Sequence, residues 1–100
     1  MIKHVIIWKL KDGYSEEKKK ELKDAIKSKL EALVETIDGI INIKVYIDGL
    51  PSSNADIMLD STFESIDALQ NYATHPEHVK IAKNDVVPYV QNRSCLDFEL

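Results

Sequence analysis

Four short stretches of the chain alternate between apolar and other residues, which is the two-residue period of a β-strand. The first runs from Ile2 to Leu10, the second passes through 41–47, the third through 57–63, and the last covers 92–100. A turn-rich segment at 48–54 separates the second strand from the third, so we predict that these two strands form a hairpin with a long loop.

Apolar residues recur every three or four positions between the first two strands, which predicts a long amphipathic helix carrying Leu22, Ile26, Leu30, Leu33 and Ile37. Ser15 is its expected N-cap, and Gly39 its expected end. A second helical region begins after a cap at Ser65. Proline fixes its own φ and disfavours the helical conformation in the residue before it, so His75 should cap a new helix that starts at Pro76.

The predicted order is β-α-β-β-α-β with a split second helix, which is the α+β ferredoxin-like arrangement with an antiparallel four-stranded sheet. Two helices can cover only one sheet face, and one set of strand residues is suited to it: Ile6, Trp8, Ile43, Val45, Ile57, Leu59, Leu96 and Phe98. The opposite set is also partly apolar, with Val5, Ile7, Ile40, Tyr46, Met58 and Cys95. Because a solvated face seldom carries so much aliphatic surface, we expect a homodimer through this face.

Composition narrows the class of protein. With 100 residues, 44% of them hydrophobic, the chain predicts one domain over residues 1–100. A net charge of −4 argues against a nucleic-acid surface, and the Lys18–Lys20 run is diluted by neighbouring glutamates. The absence of a long apolar segment or signal peptide predicts a soluble, cytoplasmic protein without a membrane partner. Cys95 is the only cysteine and is expected to be a packing residue.

The candidate chemistry lies in His4, which interrupts an apolar strand, and in the segment from Tyr72 to His78. His78 falls on the first turn of a predicted helix, where the helix dipole favours the neutral imidazole suited to a general base. We predict that His4, Tyr72 and His78 converge on one cavity. Each has a structural alternative: a satisfied core histidine for His4, packing for Tyr72, and a buried helix-start histidine for His78. For His75 we favour the cap alone.

No cofactor or metal is predicted from the residues. The chain has no glycine loop that could cradle phosphates. The spacing of His75 and His78 could suit a metal, but no cysteine or acidic cluster completes a ligand set beside them.

Several segments together resemble the stress-responsive dimeric α/β-barrel (Dabb) family: the opening IKHVIIWKLKDG, the run from Phe63 to Tyr72, the HPEH that follows it, and VVPYV at 86–90. The resemblance covers essentially the whole chain and implies a dimeric α/β barrel, although it implies no single activity. One plant branch of the family is a cofactor-independent polyketide cyclase, whose catalytic tyrosine and histidine correspond to Tyr72 and His78. His4 corresponds to a further polar residue of its cavity.

The resemblance implies that Tyr72 and His78 are catalytic, with a neutral imidazole removing a proton from carbon while a phenol hydrogen-bonds the carbonyl oxygen. The predicted substrate contacts are His4, Trp8 and Ile26, and the alternative for Trp8 is a core role. Lys23 and Ile26 stand where the cyclase offers aromatic residues, so its polyketide substrate is not carried over. Two functions follow as alternatives: a small-carbonyl-binding protein with acid-base chemistry, or a non-catalytic dimeric stress or binding protein.

Overall fold

The computed structural model describes residues 1–100 and contains a four-stranded antiparallel sheet with its helices on one face. The strands are β1 (Ile2–Leu10), β2 (Ile40–Tyr46), β3 (Ile57–Phe63) and β4 (Val90–Glu99), in the spatial order β2-β3-β1-β4. This topology is the ferredoxin-like fold, which confirms the prediction. No helix is long and apolar enough to cross a membrane.

The first helix is α1 (Glu16–Glu31), which is followed by a 3-10 turn at Ala32–Glu35. Ser15 caps α1 as predicted, because its hydroxyl accepts a hydrogen bond from the Lys18 N–H at 3.1 Å. The predicted helical stretch leaves the α conformation at Glu31, and Gly39, at φ 90°, makes the turn into β2. A side chain at Gly39 would also collide with Ala68, whose Cβ would lie 2.7 Å from the added carbon.

The second helical region is divided where the sequence predicted a break. Helix α2 (Ile66–Thr74) ends at His75 and α3 (Pro76–Ile81) begins immediately after it. The Nδ1 atom of His75 accepts a hydrogen bond from the Glu77 N–H at 3.1 Å, so His75 is the predicted cap. A π-helical turn at Ala82–Val86 and a 3-10 turn at Val87–Tyr89 continue the chain to β4.

A core of buried apolar residues lies between the helices and the sheet, with Ile26, Val45 and Phe63 fully enclosed. The inward set predicted for β1, β2 and β3 is confirmed: Ile6, Trp8, Ile43, Val45, Ile57 and Leu59 are all buried. Ile40 was wrongly predicted to face outward. It packs against the core, because a register shift between Ile40 and Asn42 reverses the alternation of β2.

Strand β4 also departs from the predicted alternation. Gln91 pairs with Lys9 and Ser94 pairs with Ile7, so two residues of β4, Asn92 and Arg93, stand opposite the single residue Trp8. This is a β-bulge, and Asn92 has the positive φ of 54° that asparagine tolerates better than most residues.

The bulge reverses the faces of the remainder of β4. Leu96 pairs with Val5 and is 64% exposed on the outer face, so the prediction that Leu96 and Phe98 meet the helices is wrong. Cys95 pairs with Ile6 and therefore shares the helix-covered face, contrary to its predicted outward position.

Candidate functional site

The three predicted site residues lie in a row on the helix-covered side of the sheet. The ring centroids of His4 and Tyr72 are 6.3 Å apart, and those of Tyr72 and His78 are 4.2 Å apart. His4 comes from the central strand β1, Tyr72 from the last turn of α2, and His78 from the first turn of α3. Phe63 packs beside them, 5.0 Å from the ring of Tyr72. The break at His75 brings the two helix ends together over β1.

The Tyr72 phenol is held in its protonated form. The residue is 2% exposed, and this burial raises the pKa of the phenol well above its usual range. No protein group hydrogen-bonds its hydroxyl, and the hydroxyl oxygen is not completely enclosed. The hydroxyl is therefore free to donate a hydrogen bond to a ligand.

His78 is held in its neutral form. Burial lowers the pKa of its imidazole, and the nearby charges of His4, Arg93 and His75 lower it further, against the opposing effect of a hydrogen bond to the Ala73 carbonyl. That bond joins Nδ1 to the Ala73 oxygen at 3.2 Å. Because a carbonyl oxygen can only accept, the proton lies on Nδ1 and the lone pair lies on Nε2.

His4 belongs to a second group of polar residues that the sequence did not predict. Its Nδ1 atom is in direct hydrogen-bond contact with Oδ1 of Asp97, the residue paired with it on β4. The Sγ atom of Cys95 lies 3.9 Å from the same nitrogen and 3.5 Å from the same oxygen. Burial raises the pKa of the Cys95 thiol, and the Asp97 carboxylate raises it further. A bulge at the start of β4 brings this group together. Its one signal in the sequence was Asn92, because asparagine tolerates a positive φ.

A cleft of about 570 Å³ opens between α2 and the strands β1 and β4. His4, Arg93, Cys95 and Asp97 supply polar groups to its wall, and the apolar part includes Ile2, Ile66, Leu69 and Ala73. Of the three residues predicted to converge on one cavity, only His4 lines this cleft, so that prediction is wrong for Tyr72 and His78. Tyr72 is packed in the core, and Ala73, the next residue along the chain, reaches the cleft in its place. Trp8 and Ile26, predicted as substrate contacts, are buried in the core and do not line it either.

Comparison with known proteins agrees with the fold. The profile of the stress responsive A/B barrel domain matches residues 2–100. The chain is 26% identical over 106 residues to a stress-response A/B barrel domain-containing protein of Arabidopsis thaliana, a match that covers 98% of the chain. It spans only 36% of that relative's length.

Solved structures extend the comparison. A dimeric protein of unknown function and ferredoxin-like fold from Bacteroides fragilis is 34% identical, with a TM-score of 0.91 over 99% of this chain and 95% of that one. The hydroxynitrile lyase from Passiflora edulis is 19% identical, with a TM-score of 0.79 over 97% of this chain and 90% of the lyase. At that identity the likeness to the lyase shows the fold alone.

Proposed function

This chain belongs to the stress responsive A/B barrel domain family, and we propose that it binds a small carbonyl compound and transfers a proton on it without a cofactor. The observation that carries the proposal is the pairing of a neutral His78 with a protonated Tyr72, their rings 4.2 Å apart, at the junction of two helices. A base and a hydrogen-bond donor in these protonation states are what enolisation of a carbonyl compound requires.

In the proposed step, Nε2 of His78 takes a proton from the carbon next to the carbonyl. The electron pair of that C–H bond becomes the carbon–carbon π bond, and the carbonyl π electrons move to the oxygen. The Tyr72 hydroxyl hydrogen-bonds this developing oxyanion. The low dielectric around the buried phenol strengthens that hydrogen bond, because little water competes for the same oxygen. His4 completes the row and connects it to the cleft, where the rest of the ligand would bind.

The test is hydrogen exchange in deuterated water, which needs no knowledge of the physiological substrate. Acetylacetone and cyclohexanone serve as probes, and NMR follows the loss of their exchangeable C–H signals with and without protein. We expect acceleration by the native protein and its loss in His78→Ala. His75→Asn is the matched control, because asparagine keeps the capping acceptor while removing a neighbouring imidazole. Equal acceleration by native protein and His78→Ala would contradict the role of His78.

Dimerisation through the outer sheet face is the second part of the proposal. Ile7, Tyr46, Leu96 and Phe98 are 37%, 49%, 64% and 42% exposed there, and Val5 and Met58 lie between them. An apolar surface of this extent is typical of an interface. The Bacteroides relative is described as dimeric, which supports a second copy as the occupant.

The interface is tested by sedimentation. The double substitution Val5→Glu with Ile7→Glu should give monomer or aggregate, since it buries two carboxylates against apolar side chains. Lys23→Glu adds the same group on α1, away from this face, and should leave the dimer intact. A native dimer that survives the double substitution would reject the interface.

A non-catalytic dimeric stress or binding protein is the alternative function, and one observation favours it. Tyr72 is 2% exposed and does not line the cleft, as expected of a residue that packs. In that case the carbonyl probes would shift the amide signals of cleft residues such as Leu69 and Ala73, while no hydrogen exchange would be catalysed.

A further inference from the structure

We propose that His4, Cys95 and Asp97 form a binding site for one divalent transition-metal ion of the zinc type. Their ligand atoms Nδ1, Sγ and Oδ1 lie within 4.8 Å of one another. The sequence predicted no metal site, because no cysteine or acidic cluster completes a ligand set beside His75 and His78. This inference concerns other ligands, and it stands independently of the proposed proton transfer.

The backbone presents these three side chains together. His4 and Asp97 are direct partners across the antiparallel ladder of β1 and β4, and Cys95 lies two residues before Asp97 on the same face. A site whose ligands come from two hydrogen-bonded strands is held more rigidly than one on loops. The bulge at Asn92 is what turns Cys95 and Asp97 toward His4.

The distances suit tetrahedral coordination. Zinc–nitrogen and zinc–oxygen bonds of about 2.1 Å and a zinc–sulfur bond of about 2.3 Å place the sulfur about 3.6 Å from either of the other ligand atoms. Sγ of Cys95 lies 3.9 Å from Nδ1 of His4 and 3.5 Å from Oδ1 of Asp97. The imidazole and the carboxylate are in direct hydrogen-bond contact, so an ion would take the place of that contact and separate the two groups. The side chain of Asp97 is 45% exposed and is free to make this movement.

The charges of the site change favourably when a cation binds. Sγ of Cys95 lies 3.5 Å from Oδ1 of Asp97, so a thiolate here would place two negative charges close together. A divalent cation offsets both charges and displaces the thiol proton. Arg93 lines the same cleft, and its positive charge opposes the binding of a cation.

The chemistry of the donors selects the class of metal. One imidazole, one thiolate and one carboxylate suit Zn²⁺ or Co²⁺, whereas Mg²⁺ and Ca²⁺ require sites built from oxygen. All three residues also line the 570 Å³ cleft. The fourth coordination position would therefore face the cleft, where a water molecule or a ligand oxygen could occupy it. Three protein ligands with one open position are the arrangement of reactive rather than structural zinc sites.

Cobalt is the probe for the test, because thiolate-bound Co²⁺ has a charge-transfer absorption in the near ultraviolet. The full chain, stripped with a chelator and kept reduced with a phosphine, is titrated with Co²⁺ and then with Zn²⁺. We expect one Co²⁺ per chain, the charge-transfer band, and its removal when Zn²⁺ displaces the cobalt.

Variants identify the ligands. Cys95→Ser should abolish the charge-transfer band. Both Cys95→Ser and Asp97→Asn should weaken binding by at least about tenfold, because loss of a direct ligand should cost no less than loss of a residue that only supports one. Cys95 and Asp97 are exposed, so neither substitution threatens the fold. Asp85→Asn, which removes a carboxylate bound to Lys29 elsewhere, should leave binding unchanged. An absent band, no stoichiometric binding, or equal affinity in Cys95→Ser would overturn the site.

Discussion

Replacing Tyr72 with phenylalanine removes one oxygen atom and keeps the ring. The ring contacts that hold this residue remain, with centroids 5.0 Å from Phe63 and 4.2 Å from His78. Because no group of the protein hydrogen-bonds the hydroxyl, its loss should change the free energy of unfolding by no more than about 0.5 kcal/mol. Tyr72→Ala, which also removes the ring, should cost about 3 to 5 kcal/mol.

The effect on proton transfer should be much larger than the effect on stability. A hydroxyl that donates to a developing oxyanion in a site of low dielectric contributes about 2.7 to 4 kcal/mol to the transition state. Tyr72→Phe should therefore slow the exchange of acetylacetone hydrogens by about a hundredfold or more. If Tyr72 only packs, phenylalanine should equal tyrosine in both the exchange rate and the stability.

Both quantities are measured on the same preparations, using exchange rates by NMR and urea unfolding followed by circular dichroism. Exchange at the native rate in Tyr72→Phe would refute the donor role of the hydroxyl. A loss of about 2 kcal/mol or more in unfolding would refute the premise that the hydroxyl has no partner.

Three further outcomes are expected. Burial lowers the pKa of His78 below 6.5, so exchange should change little around neutral pH and should fall in acidic buffer, as the imidazole is protonated. Burial alone would raise the pKa of Glu31, but hydrogen bonds from Lys27 and the Val45 N–H lower it below 4.5. Glu31→Gln should therefore lower the urea midpoint at pH 7, and the difference should shrink as the pH falls through the lowered pKa. Asn92→Val should destabilise by about 1 to 2 kcal/mol because a β-branched residue resists positive φ, whereas Asn92→Gly should not. Equal urea midpoints for these two variants would contradict the need for positive φ there.

The sequence was sufficient for the order of elements, because each local rule agreed with the fold. The two-residue and 3.6-residue periods located the strands and helices, and proline chemistry located the break at His75. The proximity of His4, Tyr72 and His78 was also predictable, although their convergence on one cavity is not observed, because only His4 lines the cleft. His4 had to face the helices together with Ile6 and Trp8, and the helix break had to lie over that face.

The group formed by His4, Cys95 and Asp97 could not be predicted in the same way. Strand faces were assigned by counting positions, and a single extra residue in β4 inverts every later assignment. The apolar character of Leu96 and Phe98 reinforced the wrong count, since apolar residues are expected in the core. A dimer face gives the same residues an equally favourable outward environment, and sequence alone does not distinguish these two kinds of burial.

The bulge at Asn92 therefore links the two surfaces on which the proposals rest. Beyond the bulge, successive residues of β4 point to opposite faces of the sheet. Leu96 and Phe98 point outward and extend the apolar sheet face. The intervening positions carry Cys95 and Asp97, whose polar side chains reach His4. With the regular count, Cys95 and Asp97 would lie in the dimer interface, and Leu96 would face the cleft that Phe98 already borders. The polar groups in the cleft, behind an apolar interface, thus depend on one additional residue in an edge strand.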